Sequence, residues 1–317
     1  MVISVVARLL PTRGSTYGDC GVNWSIAPLR GIQVGITVCE DIWFAGPPAS
    51  TEALGGAVLI VNASAILIQM FGTSRIVTRF GREYGDEVGL VPAFPTEFAE
   101  LQREYPIFLR KDSKSGDWQA VALLGFESNE NLFLQDGRWN ANYLPGYVAR
   151  GPFLIGFQQQ TIDGELRTEP VIHVDMDHPR IRSGEKEAEA AQAEASQAVF
   201  LPHGGNSPYL EHITAVLRGI RDGADASKAI FAAFDELGLI QPMNIELKFD
   251  EEHGANLTGL HGIDRDRLAA LDAEALHRLH RSGYLEGAYL ILATTHNLRR
   301  LMADKQRRLR LQEAAAA

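Results

Sequence analysis

Lysine does not occur before Lys111, and Asp19 is the sole acidic residue ahead of Glu40. The chain upstream of residue 39 therefore lacks the ammonium and the paired carboxylates from which an acid–base site is assembled. Cysteine is confined to Cys20 and Cys39, too few for a disulfide framework, which fits a reducing compartment. No apolar run approaches the length needed to cross a bilayer. Residues 1–8 lack the positive lead of a secretory signal, and their apolar stretch breaks at Arg8, so a cytoplasmic protein is the expectation. Positive charge is also short. Lys and Arg total 30 against 40 Asp and Glu, and the formal charge of −10 argues against phosphate backbones and anionic membranes as partners, because nothing compensates the repulsion. The one basic cluster, Arg299, Arg300, Lys305, Arg307, Arg308 and Arg310, reads as a solvated helix face.

What is present is a globular composition. At 317 residues and 45% hydrophobic, the chain can build one large core or two ordinary ones. Ile32 to Val38 and Ala57 to Ala63 are short β-branched runs. Between them lie a turn at Gly46-Pro47-Pro48 and a short helix opening at Ser50, a pattern that predicts strand–helix–strand with parallel pairing. The first run ends on Cys39 and then turns through Glu40-Asp41-Ile42-Trp43, which is how a cysteine hydrolase presents a nucleophilic thiol.

Beyond residue 73 the runs 106–110, 119–125, 131–135, 153–158 and 171–174 are separated by turn residues, notably 114–117 and Asp136-Gly137. That spacing predicts an antiparallel sheet or β-roll. Residues 184–196 are polar and alanine-rich, a solvated helix or hinge. Helices are predicted at 207–221, 226–237, 265–281 and 286–311, with a strand at 243–249.

The string Val34-Gly-Ile-Thr-Val-Cys-Glu-Asp-Ile-Trp43, with Gly46-Pro-Pro48 and Gly56-Ala-Val-Leu-Ile-Val-Asn-Ala-Ser64, resembles the nitrilase superfamily. The likeness, over residues 22–65, is to the glutamine-amidase domain of glutamine-dependent NAD synthetases. It implies that Cys39 is the nucleophile. It also implies a glutamate base and an oxyanion-binding lysine earlier in the chain, and neither residue is there. Their loss costs several orders of magnitude in rate, so the segment is expected to be a degenerate amidase with an idle thiol.

Residues 76–311 resemble the SapC family, related by name to bacterial surface layers. The likeness is carried by Glu97-Phe98, Tyr105-Pro-Ile-Phe108, Asp136-Gly-Arg-Trp-Asn-Ala-Asn-Tyr-Leu-Pro145, Arg150-Gly-Pro-Phe153, Leu257-Thr-Gly-Leu-His-Gly-Ile-Asp264 and His296-Asn-Leu-Arg-Arg-Leu301. It implies surface association and no defined reaction.

Other constellations have ordinary explanations. His173 and Asp175, an H-x-D pair on a predicted strand, match two ligands of a non-haem iron site, with His253, His261 or His296 as the third; the expectation is that they are polar residues of the surface or a strand edge instead. In 203–207, His-Gly-Gly-Asn-Ser precedes a helix, and Ser207 is the expected N-cap with Pro208 at the first helical position. Trp118, Trp139, Tyr143, Tyr147 and Phe153 are expected to fill a core rather than form a binding face. Asp264, Asp266 and Asp272 suit helix starts without a metal.

The expectation is an α+β chain: a short, incomplete α/β nitrilase-like fragment (1–70), then an antiparallel-sheet SapC-like domain with C-terminal helices (71–317). It acts through an unknown protein or peptide partner, with no cofactor. Carbon–nitrogen hydrolysis at Cys39 is the first alternative, and an iron oxygenase at His173 and Asp175 the second.

Overall fold

The computed structural model describes residues 74–113, 115–162, 165–183, 195–201 and 205–316, with 157–170 as backbone alone, and the backbone of three earlier strands. In chain order these three are β1 (Ser25–Leu29), β2 (Ile32–Thr37) and β3 (Leu59–Asn62). They are followed by β4 (Arg75–Val77), β5 (Leu90–Ala93), helix α1 (Phe98–Leu101), β6 (Ile107–Lys111) and β7 (Trp118–Leu123). Next come β8 (Leu134–Gln135), β9 (Arg138–Trp139), α2 (Gly146–Ala149), β10 (Phe153–Ile162) and β11 (Glu165–Val174). Two short strands, β12 (Ile181–Arg182) and β13 (Ser196–Ala198), precede the long helix α3 (Pro208–Glu236). The chain closes with β14 (Ile240–Lys248), β15 (Gly254–Ile263), α4 (Arg265–Ala269), α5 (Ala273–Arg281), α6 (Tyr284–Ala293) and α7 (Asn297–Ala316).

The chain divides into two compact units, residues 1–78 with 156–212, and residues 79–155 with 213–317. In the first, β1 pairs antiparallel with β2, and β2 runs parallel to β3 with Val34 opposite Leu59. Parallel pairing of the two β-branched runs is the arrangement the sequence predicts. Cys20 and Cys39 lie outside the described residues, as do the expected short helix at Ser50 and the alanine-rich stretch 184–194. β4 pairs with β12 and β13, and β10 pairs with β11. Ser207 accepts the Leu210 amide on its hydroxyl at 3.1 Å, the N-cap expected for α3.

The second unit is built on an antiparallel five-stranded sheet of order β14-β15-β6-β7-β5. Central strands β6 and β7 pair from Ile107 opposite Ala122 to Lys111 opposite Trp118. Ile107, Phe108 and Leu109 are all buried, as are Ala120 to Leu123, so side chains on both faces of these strands are covered. The covering residues include Phe231 and Phe234 of α3, Ile291 of α6 and Leu301 of α7. Asp136 and Gly137 both hold positive φ, 51° and 75°, in the tight turn between β8 and β9. An Asp-Gly pair is the expected solution there.

Several elements differ from the sequence expectation. Helices predicted at 207–221 and 226–237 are one continuous helix, α3. Gly223 breaks nothing; it makes room, since a Cβ there would lie 2.6 Å from both Phe94 Cβ and Thr96 Oγ1. The predicted helix 265–281 is two helices, because Asp272 caps a new start by accepting the Ala275 amide at 2.7 Å. The predicted helix 286–311 is interrupted by a 3-10 turn at Thr294–His296. There the buried Thr294 Oγ1 accepts the Ile107 amide at 3.0 Å and donates to Ile291 carbonyl at 2.7 Å. The sequence pattern does not reveal β15. Gly254, Gly259 and Gly262 mask its pattern, and Gly259 takes φ 73° where the register with β14 shifts. The run 131–135 contributes only the two residues of β8 to a strand.

Candidate functional site

Two features of the second unit carry concentrated polar chemistry. The first surrounds the stretch 136–153. Glu97, 7% exposed, ends the 3-10 turn Pro95–Glu97 and accepts three donors: the Phe94 amide at 3.1 Å, the Tyr143 hydroxyl at 2.9 Å and the Gly146 amide at 2.9 Å. Burial pushes its carboxyl above the usual range, and the Gly146, Tyr143 and Phe94 donors pull back against that rise. Glu104, also buried, accepts the amides of Asn142 and Tyr143 at 2.9 and 3.2 Å. Tyr105, with no exposed surface, takes the Trp139 indole N–H at 2.7 Å and donates to the Tyr143 carbonyl. Desolvation raises the Tyr105 and Tyr143 hydroxyls beyond the normal phenol range. Every acid here is engaged by fixed donors, so the arrangement holds the 139–146 loop in place. Trp139 packs on Phe80 and Phe133, and Phe153 is buried, as a core role requires. Tyr147 is 40% exposed under the Arg150 guanidinium.

The second feature is a cavity of about 510 Å³ between the β14–β15 turn, the segment 127–134 and α7. Its charged lining includes Arg82, Glu130, Glu252, His253, Lys305 and Arg308. Arg299, Arg300, Arg307 and Arg310 are exposed, as a solvated helix face requires, but Lys305 and Arg308 of the same cluster are not. Lys305 is 8% exposed and donates to Glu127 and Glu130, each at 2.7 Å. Burial by itself would lower the Lys305 ammonium; its hydrogen bonds to the two glutamates overcome that and hold it above the ordinary lysine value. Arg308 donates to the carbonyls of Asn131, Leu132 and Leu134. Period 3.6 places Lys305, Arg308, Leu309 and Gln312 on one stripe of α7, a signal that counting charges along the chain does not show.

The remaining sequence candidates are placed as follows. Cys39 and His203 lie outside the described residues. His173 is on β11, and its ring occupies the space beside Gly156, where a Cβ would lie 2.0 Å from Nε2. Asp175 falls after the strand, in a turn, with its carboxylate accepting the Asp177 amide at 3.2 Å. Among the described residues no third His, Cys, Asp or Glu gathers with these two into a metal-binding group. His253, His261 and His296 all belong to the other compact unit. His296 Nδ1 is bonded to the Ala293 carbonyl, and His261 packs edge-on against Trp118. Asp264 accepts the amides of Asp266 and Arg267, so it caps α4 as Asp272 caps α5.

Against known proteins, 40 residues of the chain are 48% identical to the glutamine-dependent NAD(+) synthetase of Xanthomonas campestris pv. campestris (strain 8004). That match covers 12% of this chain and 7% of the synthetase, so the chain spans a small fraction of that relative's length. No solved structure matches. No described helix is long and apolar enough to cross a membrane. The SapC family model matches residues 69–301, a span that holds the central sheet, the Glu97 and Glu104 anchors and most of the closing helices, and the chain belongs to the SapC family.

Proposed function

We propose that this SapC-family chain works by binding a polar segment of a protein or peptide, with its NAD-synthetase-like stretch a degenerate amidase that contributes no turnover. The observation that carries the reading is the cavity of about 510 Å³, whose size suits a few residues of an extended ligand and whose lining holds charges of both signs. Lys305 and Arg308 stabilise its wall, which leaves Asn129, Glu252 and Gln312 as lining side chains free of such duties. A ligand recognised this way binds through charge complementarity and weakens with added salt. The test is a peptide array screened with the whole chain, followed by calorimetry of the best peptide against wild type and Glu252→Lys. A micromolar Kd that weakens by about tenfold or more in the variant supports the reading. No enriched peptide, or one indifferent to Glu252, overturns it.

A second reading, carbon–nitrogen hydrolysis with Cys39 as nucleophile, is favoured by the 48% identity over 40 residues to the synthetase. Ammonia release from glutamine, compared between wild type and Cys39→Ala, decides it. Turnover that disappears with the thiol replaces the binding reading with an amidase.

A further inference from the structure

We propose that Asp250, His253 and Glu313 form a binding site for a divalent first-row transition ion of the zinc class. Each side chain offers one ligand atom, and the three atoms lie within 4.8 Å of one another. Zinc holds nitrogen and oxygen ligands at about 2.0–2.2 Å, which sets tetrahedral ligand atoms about 3.4 Å apart. Asp250 Oδ2 and His253 Nδ1 are hydrogen-bonded at 2.8 Å, so the ion takes the place of the shared proton and the two atoms separate to about 3.4 Å, a movement that exposed side chains allow. The imidazole decides the class. Magnesium and calcium prefer all-oxygen sites, whereas one histidine with two carboxylates suits zinc or cobalt.

The juxtaposition is built by contacts that do not involve the ligand atoms of His253 or Glu313. The β14–β15 turn is closed by the Phe249 amide on the His253 carbonyl at 2.9 Å, and Asp250 accepts the amides of Glu252 and His253 at 2.8 and 2.6 Å. Phe249 is buried, 5.0 Å from the Phe126 ring centroid. Gln306 then fastens the turn to α7 by donating to the Phe249 carbonyl at 2.8 Å. Glu313 follows Gln306 by two helical turns and so rises on the same face of α7.

Charge supplies a separate argument. Two carboxylates converge here, and like charges at this separation repel. The Lys and Arg side chains that line the adjoining cavity are committed elsewhere, Arg82 to Glu87, Lys305 to Glu127 and Glu130, and Arg308 to three carbonyls. Among the described residues Glu313 has no ion-pair partner, and apart from backbone amides Asp250 meets only the His253 imidazole. A divalent cation removes the repulsion. Three protein ligands leave at least one coordination position open, and His253 also lines the adjoining cavity. The inference does not depend on the peptide reading, since ion binding is measured without any peptide.

The experiment is calorimetric titration of the metal-stripped whole chain with Zn²⁺, repeated with His253→Ala, Glu313→Gln and the double variant, with Glu251→Gln as a charge-matched control. Co²⁺ absorption reports imidazole and carboxylate ligation directly. One saturable equivalent is expected, weakened by about tenfold or more in each single variant and unchanged in the control. No saturable uptake overturns the site. So does uptake that survives in the double variant, which would place the ion elsewhere, or binding of Mg²⁺ or Ca²⁺ as tight as that of Zn²⁺.

Discussion

Replacing Glu97 by alanine tests whether the 139–146 loop is held by one buried carboxylate. The change strands three donors, the amides of Phe94 and Gly146 and the Tyr143 hydroxyl. A buried donor left without a partner costs about 1–3 kcal/mol, and the Tyr143 hydroxyl sits at the low end because its residue is only partly buried. Burial opposes ionised Glu97, as its raised pKa shows, so deletion returns part of the loss. The net expectation is about 3 kcal/mol of destabilisation, a large share of the roughly 5–15 kcal/mol that holds a domain folded. Urea unfolding followed by tryptophan fluorescence reads it, since Trp139 lies in the same network through Tyr105. A midpoint shift of less than about 0.5 M urea, with unchanged slope, would refute the reasoning. The pH dependence gives a second check. The folded pKa of Glu97 lies above its unfolded value, so the native state binds the proton more tightly. Stability therefore falls as pH rises from the ordinary glutamate value through the raised one, and is level above it. Glu97→Gln should lack that step.

Two further substitutions probe the packing of the second unit. Gly223→Ala gains about 1 kcal/mol of helix propensity but drives a Cβ into the fixed Phe94 Cβ, an overpacking cost of about 1–3 kcal/mol; a lowered melting temperature is expected, and a raised one would show that α3 simply shifts. Lys305→Met leaves Glu130, whose side chain is 15% exposed, without its cation, while Glu127 at 69% stays solvated, so the loss is about 2 kcal/mol at neutral pH rather than the full cost of a buried pair. Because the folded pKa of Lys305 is raised, its contribution is complete below the unfolded lysine value and is lost only as pH rises through the folded one. The gap between wild type and variant should hold from neutral pH to the lysine range, and denaturation curves at pH 7 and pH 11 will measure it.

The amino-acid order alone was enough for features that depend on near neighbours. Strands β6 and β7 follow from their apolar runs, the β8–β9 turn from Asp136-Gly137, and the helix starts from Ser207 and Asp264. Parallel pairing of β2 with β3 and family membership were likewise legible, the latter in Glu97-Phe98 and the strings 136–145 and 296–301. Folding in three dimensions decided the rest, because the deciding contacts join residues far apart in the chain. Gly223 reads locally as a break, yet it serves the approach of α3 to Phe94. Thr294 interrupts a helical pattern because Ile107 needs its hydroxyl. Lys305 and Arg308 look like surface charge until segment 127–134 meets their face of α7. Glu313 meets Asp250 and His253 where α7 packs beside the β14–β15 turn, which Gln306 grips at the Phe249 carbonyl. Periodicity and turn chemistry are read within a few residues, whereas burial and charge convergence depend on which distant surfaces come together.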